Sequence, residues 1–289
     1  MIQKILVTGA TGNMGRGVID TLLQKLKPQQ INAIGRNKEK IAELQLKGLN
    51  ALEGDYNDVN TLEQAMQGVD TVLLVSSGDK GDRMQEHKNL INTAKKCGVK
   101  NIAYTSRALA DRTALQNKLM QDHFDTEDYI KESGLNYTIF QNGLYMEFLQ
   151  FFVNKEHLEK GIFLPTGNGK VAFTLRADQS EAIANVLMNE DFENKSYLFT
   201  NTETYSFFDV ANVLSDLSAK EINYTPIELS AFLETMKQKG LPEVVINKMS
   251  GFLIDIKNNQ EAVASFDLEN KLGRKPTSLK QGLKVLFNL

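Results

Sequence analysis

The feature that most constrains the fold of this chain is a glycine-rich turn between an apolar segment and an amphipathic segment near the N-terminus. The apolar segment, residues 2–8, predicts a buried strand, and apolar residues at every fourth position of 12–26 predict a helix. Gly9, Gly12 and Gly15 follow the strand at intervals of three residues. A strand, a glycine turn and a helix in this order are typical of the first unit of a dinucleotide-binding fold.

Strand-like and helix-like segments continue to alternate after this unit. The pattern predicts strands at 31–35, 50–54, 69–76, 100–105 and 136–141, and helices at 37–47, 60–66, 84–97 and 115–133. Nearly continuous apolar strands between amphipathic helices indicate a parallel sheet that is covered on both faces. The sequence therefore predicts an α/β fold of the Rossmann type, with a doubly wound parallel sheet.

The pattern becomes less regular beyond about residue 145. It predicts helices at 145–159, 178–189, 207–218, 228–239 and 242–258, with short strands at 171–174, 196–200 and 221–225. We expect two parts, a Rossmann domain at 1–150 and a smaller, partly helical lobe at 151–289 that packs on it and binds the substrate.

Composition excludes several classes of partner and site. The chain has 33 basic and 36 acidic side chains and no long basic run, so we expect it to bind neither nucleic acid nor a membrane. Cys97 is the single cysteine, so no disulfide and no cysteine-rich zinc site can form within one chain, and we expect no metal. No secretory leader or long apolar segment precedes the first strand, and these features together predict a cytoplasmic protein.

The glycine turn has the properties of a phosphate-binding loop. Glycine permits a positive φ at the turn, lets the backbone approach a pyrophosphate at the second position, and allows close helix packing at the third. The exposed N–H groups and the helix dipole favour an anion there. The alternative is an ordinary tight turn from strand to helix.

The end of the second strand indicates which dinucleotide binds. Many NAD sites place an acidic residue there, about twenty residues beyond the glycines, to hold the ribose 2′-hydroxyl. This chain instead has Gly35-Arg36-Asn37-Lys38. Because a guanidinium can form a bidentate contact with a 2′-phosphate, and Lys38 adds positive charge beside it, Arg36 predicts NADP(H). The alternative is a solvated arginine at the start of a helix.

Two further loops follow strands of the predicted sheet. Asp55-Tyr56 comes after the third strand and Ser76-Ser77-Gly78 after the fourth. Ligands of open α/β sheets bind at the carboxyl ends of the strands, so both loops are candidate ligand contacts, or else ordinary turns.

Catalytic side chains are harder to find. Ordinary short-chain dehydrogenases use a tyrosine with a lysine four residues later as the general acid, and none of the 8 tyrosines here has that lysine. Either the acid comes from elsewhere, the acceptor needs none, or the protein does not turn over. His123 is a candidate proton or hydrogen-bond donor, or else a helix-packing histidine.

An aromatic segment at 140–152 is the candidate substrate contact. Tyr145 and Phe148 could stack on a flat aromatic substrate. The alternative is that Phe148, Phe151 and Phe152 pack the smaller lobe onto the sheet.

Several motifs at these positions together resemble one family. They are GATGNMG at 9–15, Arg36, GDYN at 54–57, AYTS at 103–106, HFDTE at 123–127 and NGLY at 142–145. In this combination the chain resembles the NmrA-like atypical short-chain dehydrogenases, in particular the triphenylmethane and NADPH-dependent quinone reductases among them. The resemblance implies that NADP(H) contacts Gly9, Ala10, Thr11, Gly12, Asn13, Met14, Arg36, Ser76, Ser77, Gly78, Gln141, Asn142, Gly143 and Leu144.

The function that we expect is an NADPH-dependent oxidoreductase that transfers hydride to a flat electrophilic acceptor, a quinone or a cationic aromatic dye. The alternative is a redox-sensing regulator of the NmrA type that binds NADP(H) without catalysis. A sugar-nucleotide epimerase is disfavoured because that chemistry also needs the tyrosine pair.

Overall fold

A computed structural model describes residues 4–78, 81–117, 120–154, 157–189, 192 and 194–289. The strands are β1 Ile5–Val7, β2 Ile31–Gly35, β3 Asn50–Glu53, β4 Thr71–Leu74, β5 Asn101–Arg107, β6 Asn136–Asn142, β7 Ile162–Leu164, β8 Lys170–Val171, β9 Lys195–Phe199, β10 Tyr205–Ser206 and β11 Tyr224–Pro226. The helices are α1 Asn13–Leu22, α2 Lys38–Leu46, α3 Val59–Ala65, α4 Arg83–Lys96, α5 Gln121–Glu132, α6 Leu149–Phe152, α7 His157–Lys160, α8 Arg176–Met188, α9 Phe207–Ser218, α10 Leu229–Gln238, α11 Glu243–Lys257, α12 Asp267–Leu272 and α13 Leu279–Phe287.

A sheet of seven strands forms the centre of the molecule, in the order β3-β2-β1-β4-β5-β6-β9. Every neighbouring pair in it is parallel. The chain builds outward from β1 in one direction and then from β4 in the other, so the strand order reverses between these two strands. The Rossmann-type parallel sheet predicted from the sequence is confirmed.

Side chains of each strand alternate between two hydrophobic layers. Ile5 and Val7 face the layer that α1, α2, α8 and α12 cover, whereas Leu6 faces the layer of α3, α4 and α5. Since successive strand residues point to opposite faces, a strand covered on both sides must be apolar throughout, as the sequence of β1 is.

A second hydrophobic core lies in the C-terminal half. It joins α6, α9, α11 and α13 with the short strands β7, β8 and β11. Three elements from beyond residue 150 belong instead to the main sheet, because β9 is an edge strand, α8 packs on α1, and α12 packs on α8 and β9. The division of the chain at residue 150 stays a prediction.

The continuous helix predicted over 145–159 is wrong. A single 3-10 turn and α6 end at Val153, which takes an extended conformation (φ −123°) and buries its side chain in the second core. The backbone N–H of His157 then donates to Asn154 Oδ1 at 3.3 Å to begin α7. The helix predicted from 115 begins at Gln121, and positions 118 and 119 lie outside the described residues.

The sequence analysis did not predict the two C-terminal helices α12 and α13. The N-terminus of α13 carries a capping box, in which Ser278 Oγ accepts from the backbone N–H of Gln281 and the Gln281 side chain accepts in return. Serine followed three residues later by glutamine is a known helix-start pattern, so this helix was predictable. In the described part of the chain, no helix is long and apolar enough to span a bilayer.

Candidate functional site

A cleft of about 720 Å³ opens at the carboxyl ends of β1 and β4. The strand order reverses there, so the loops that follow these strands diverge and leave space between them, which is where open α/β sheets bind ligands. The turn after β1, the ends of β2 to β5, Tyr145 after β6 and Arg176 at the start of α8 form the walls.

The glycine turn forms one wall of the cleft. Gly9 has a φ of +57°, a conformation that side chains disfavour. A Cβ at Gly15 would lie 2.4 Å from the Gly9 carbonyl oxygen, so only glycine permits this packing of α1 on the turn. A Cβ at Gly12 would lie 3.3 Å from the same oxygen and meet nothing else within 4 Å, so Gly12 leaves open space.

The N-terminus of α1 adjoins this turn. Gly12 is its N-cap residue, and no side chain caps the helix. Thr11, Asn13 and Met14 also line the cleft, whereas Ala10 is buried and its N–H donates to the Ile34 carbonyl at 3.0 Å. An uncapped helix N-terminus presents N–H groups and a partial positive charge, which suit a phosphate.

Arg36 lies at the end of β2, on the same cleft. It is exposed and forms no ion pair with another residue in the described ranges. Asn37 Oδ1 caps α2 by accepting from Lys40 N at 2.9 Å, which fixes the backbone next to Arg36. Lys38 does not line the cleft. The guanidinium is therefore the positive group that the structure offers at this position.

Tyr56 ties the bottom of the cleft together. Its hydroxyl lies 2.6 Å from Thr8 Oγ1 and donates to the Val75 carbonyl at 2.7 Å, so it links the ends of β1 and β4. Burial raises the pKa of Tyr56, although the hydrogen bond with Thr8 opposes that shift. The phenol therefore stays protonated and acts as a structural tie.

The loop 76–78 lines the opposite side of the cleft and is held by buried side chains of α4. The Ser77 N–H donates to His87 Nε2 at 3.1 Å, and Arg83 Nε donates to the Ser77 carbonyl at 3.1 Å. Since Nε2 accepts, the proton of the neutral imidazole lies on Nδ1, 2.8 Å from Thr126 Oγ1. Burial, together with the charge of Arg83, lowers the pKa of His87 to about 3.

Sequence reasoning gave His87 no role, yet the sequence contained a signal for it. His87 lies on the same face of α4 as the buried residues Leu90, Ile91 and Ala94. A histidine at this spacing in an apolar stripe is buried and needs hydrogen-bond partners. The partner that it finds is the backbone of Ser77, whose own hydroxyl is buried without a partner.

His123 lines the cleft, as the sequence suggested, but as a buried neutral group. Its Nδ1 lies 2.9 Å from the Tyr104 hydroxyl, and the side chain is 7% exposed. Burial lowers the pKa of His123 well below its usual value, and the nearby Arg83 and Arg107 add to the shift. At neutral pH it can donate or accept a hydrogen bond, but it carries no acidic imidazolium proton.

Two arginines that sequence reasoning missed line the cleft beside Tyr145. Arg107, the last residue of β5, donates from Nη2 to both carboxylate oxygens of Glu261, at 2.6 and 2.7 Å. The guanidinium of Arg176 lies 4.4 Å from the centre of the Tyr145 ring. Burial raises the pKa of Tyr145, although both arginines oppose the shift. Arg107 lies two residues beyond the predicted strand 100–105, at the carboxyl end of the sheet, a position that could have identified it.

The segment 141–144 lies behind the cleft and does not line it. Gln141 Nε2 donates to Glu127 Oε1 at 3.1 Å, and the Asn142 side chain is fully buried with both polar atoms unpartnered. The Gly143 N–H donates to the Phe199 carbonyl, and Leu144 belongs to the second core. Cofactor contacts from these four residues stay a prediction.

A second, largely apolar cavity of about 1320 Å³ adjoins the cleft, and Arg36, Gly78 and Glu86 line both. Phe148 contributes to its wall, with ring centroids 4.9 Å from Phe252 and 5.1 Å from Phe152. Phe152 is buried and Phe151 is 75% exposed. Phe148, Phe151 and Phe152 therefore pack against one another and also line the cavity, and a substrate contact from Tyr145 or Phe148 stays a prediction.

Known proteins share this architecture. The model of the NmrA-like family matches residues 1–286. Quinone oxidoreductase 2 of Escherichia coli is 34% identical over 287 residues, which are 99% of each chain.

Two solved structures resemble the chain over nearly its whole length. The NADPH complex of an NADPH-dependent quinone oxidoreductase from E. coli has a TM-score of 0.91 and 32% identity, and covers 98% of this chain and 100% of its own. Triphenylmethane reductase of Citrobacter sp., complexed with NADP(H), has a TM-score of 0.89 and 32% identity, and covers 98% and 99%. The match of the family model along almost the entire sequence and these similarities together show that this chain belongs to the NmrA-like family.

Proposed function

We propose that the protein is an NADPH-dependent oxidoreductase that transfers hydride to flat, electrophilic acceptors such as quinones or cationic aromatic dyes. The observation that carries this proposal is the uncapped N-terminus of α1 behind a glycine turn, with the guanidinium of Arg36, which forms no ion pair among the described residues, in the same cleft. The relatives named above reduce quinones or carry the name of a dye reductase.

The residues around the cleft suit NADP(H). Gly9, Thr11 and Gly12 would hold the pyrophosphate against the helix N-terminus, and Arg36 would contact the 2′-phosphate. The buried, unpartnered hydroxyl of Ser77 gives a further hydrogen-bonding group for the ligand, within a loop that His87 and Arg83 hold in place.

The far end of the cleft would hold the reacting ring. When bound there, NADPH supplies a hydride. Thr105, His123 and Tyr145 line this end. Because His123 is neutral and the tyrosine pair is absent, these side chains orient the reactants and exclude water but provide no strong acid.

The acceptor would reach the reacting ring from the adjoining apolar cavity, because Asp122, which lines this cavity, directly precedes His123 on α5. The aromatic wall of the cavity, including Phe148 and Phe252, suits a flat ring system. This position also agrees with the absence of an acid, because a quinone delocalises the arriving charge and a triarylmethyl cation is simply neutralised. The expected cytoplasmic location stays a prediction.

Consumption of NADPH with different acceptors tests the proposal. We expect steady oxidation of NADPH with a quinone and with a cationic triarylmethane dye, and negligible oxidation with an aliphatic ketone, which loses on the order of 10²–10⁴ in rate without a general acid. Tight NADPH binding with no turnover of any acceptor would contradict the proposal and favour a redox-sensing regulator.

A further inference from the structure

Arg107 occupies an unusual position for a charged residue. It ends β5 and lines the cleft beside His123 and Tyr145, yet its side chain is only 9% exposed. A guanidinium that is nine-tenths buried must find partners for its charge and for its five N–H donors, because burying either without partners is costly.

Its hydrogen bonds are incomplete. Both bonds to Glu261 come from one nitrogen, Nη2. Nε is buried without a partner, and Nη1 donates to no acceptor in the described part of the chain. A buried donor without an acceptor costs free energy, so native structures rarely keep one that no ligand or water uses. The unused N–H groups belong to a residue that lines the cleft.

Glu261 neutralises the charge of Arg107. The pair carries no net charge, and the neighbouring Arg176 lies 3.7 Å from the Glu147 carboxylate, so this end of the cleft neither attracts a phosphate strongly nor repels a cationic dye. Arg107 can still donate hydrogen bonds, but it cannot give up a proton at physiological pH. Such a group stabilises negative charge that develops on an acceptor oxygen without acting as an acid.

We propose that Arg107 is a specificity-determining residue that donates a hydrogen bond to the carbonyl oxygen of neutral quinone acceptors. The inference rests on the proposed reductase function. With NADPH as the hydride donor, a quinone would become a hydroquinone monoanion and NADP⁺ would form, and one proton from solvent would complete the hydroquinone. A triarylmethyl cation takes the same hydride at carbon and forms a neutral product with no oxygen anion. Arg107 therefore assists the first reaction and not the second.

Two variants test this role. Arg107→Met removes the donors, and the double variant Arg107→Met with Glu261→Gln avoids leaving a buried carboxylate unpaired, which could unfold the single variant. Arg112→Met is the matched control, because Arg112 pairs with Asp128 on the surface away from the cleft. We expect kcat/KM for a quinone to fall roughly 10- to 100-fold in both Arg107 variants, as the loss of a charged hydrogen bond predicts. The value for a cationic dye and the Kd of NADPH stay close to those of the parent.

A binding measurement tests the same role without turnover. 4-Nitrophenol absorbs differently as phenol and phenolate, and its phenolate mimics the hydroquinone monoanion. We expect the parent protein to bind the phenolate and lower the apparent pKa of the probe, and both Arg107 variants to lose this effect while Arg112→Met keeps it.

The outcomes separate the inference from the proposed function. Equal losses with quinone and dye, weakened NADPH binding, or unchanged phenolate binding in the Arg107 variants would overturn the role of Arg107. If the parent protein binds NADPH and reduces neither acceptor, the proposed function fails, and the phenolate titration still decides whether Arg107 binds an oxygen anion.

Discussion

The two walls of the cleft differ in how their polar groups are used. On the wall built by β1, β2 and β4, no side chain caps the N-terminus of α1, the Ser77 hydroxyl is buried without a hydrogen-bond partner, and Arg36 forms no ion pair with any residue that the structure describes. On the wall that begins at β5, His123 is bonded to Tyr104, and Arg107 is paired with Glu261. The first wall thus presents several groups for a ligand of fixed chemistry, whereas internal bonds hold the side chains of the second wall in place and leave the Nε and Nη1 donors of Arg107 unused by any described residue.

This difference explains how one cleft could combine tight cofactor binding with mild chemistry. Pyrophosphate and 2′-phosphate groups need open donors, which the first wall has. A hydride acceptor that needs no acid requires orientation and exclusion of water, which a wall of internally bonded side chains can give.

The largest effect should come from the glycine turn. In Gly12→Val the added side chain would enter the open space above the Gly9 carbonyl, so we expect a folded protein that no longer binds NADPH measurably. Gly15→Val is the contrasting variant, because its Cβ would lie 2.4 Å from the Gly9 oxygen and should destabilise the fold itself. Circular dichroism and NADPH titration distinguish the two, and retained affinity in a folded Gly12→Val protein would show that the loop is only a turn.

Arg36 tests whether the first wall selects the cofactor. We expect the parent protein to bind NADPH more tightly than NADH, and Arg36→Ala to lose about 1.5–3 kcal/mol of that preference, the value of a charged hydrogen bond. Lys38→Ala serves as control and should keep the preference, because Lys38 does not line the cleft. Equal affinities for both cofactors in the parent protein would contradict the assignment.

The first wall was largely predictable because its signals are local in sequence. The turn around Gly9 and the strand end at Arg36 lie beside the elements that position them, so spacing alone located them. The second wall depends on distant pairs. Arg107 and Glu261 are separated by 154 positions, and no periodicity links them. The edge position of β9 could not be predicted for the same reason, because the pairing of β9 with β6 depends on packing between segments that are distant in sequence.

Protonation of His87 should weaken the fold at low pH. Its pKa is about 3 in the folded protein and about 6.5 when unfolded, so between these values only the unfolded state binds the proton. This stability is fully present above pH 6.5 and is lost as the pH falls toward 3, by about 1.4 kcal/mol per pH unit. Buried His123 adds a loss of the same sign. Urea unfolding of His87→Gln should show a correspondingly shallower pH dependence than the parent, and equal slopes would exclude a buried neutral His87.

The smallest effect is expected at His123. Because the imidazole is neutral and bonded to Tyr104, we expect His123→Ala to reduce kcat for a quinone less than about tenfold, against the 10²–10⁴ that loss of a general acid costs. The pH profile of kcat should likewise show no limb that disappears in the variant. A loss in the range of a general acid would show that the second wall does supply a proton.

The central claim is that hydride passes directly from NADPH to the acceptor within the cleft, and isotope labelling tests it. NADPH carrying deuterium at C4 of the nicotinamide, labelled on one face in one sample and on the other face in a second, is oxidised with a cationic triarylmethane dye, and the product is analysed by mass spectrometry. We expect deuterium at the central carbon of the reduced dye from one of the two samples and protium from the other. Deuterium in neither product, despite complete oxidation of NADPH, would contradict direct transfer within this cleft.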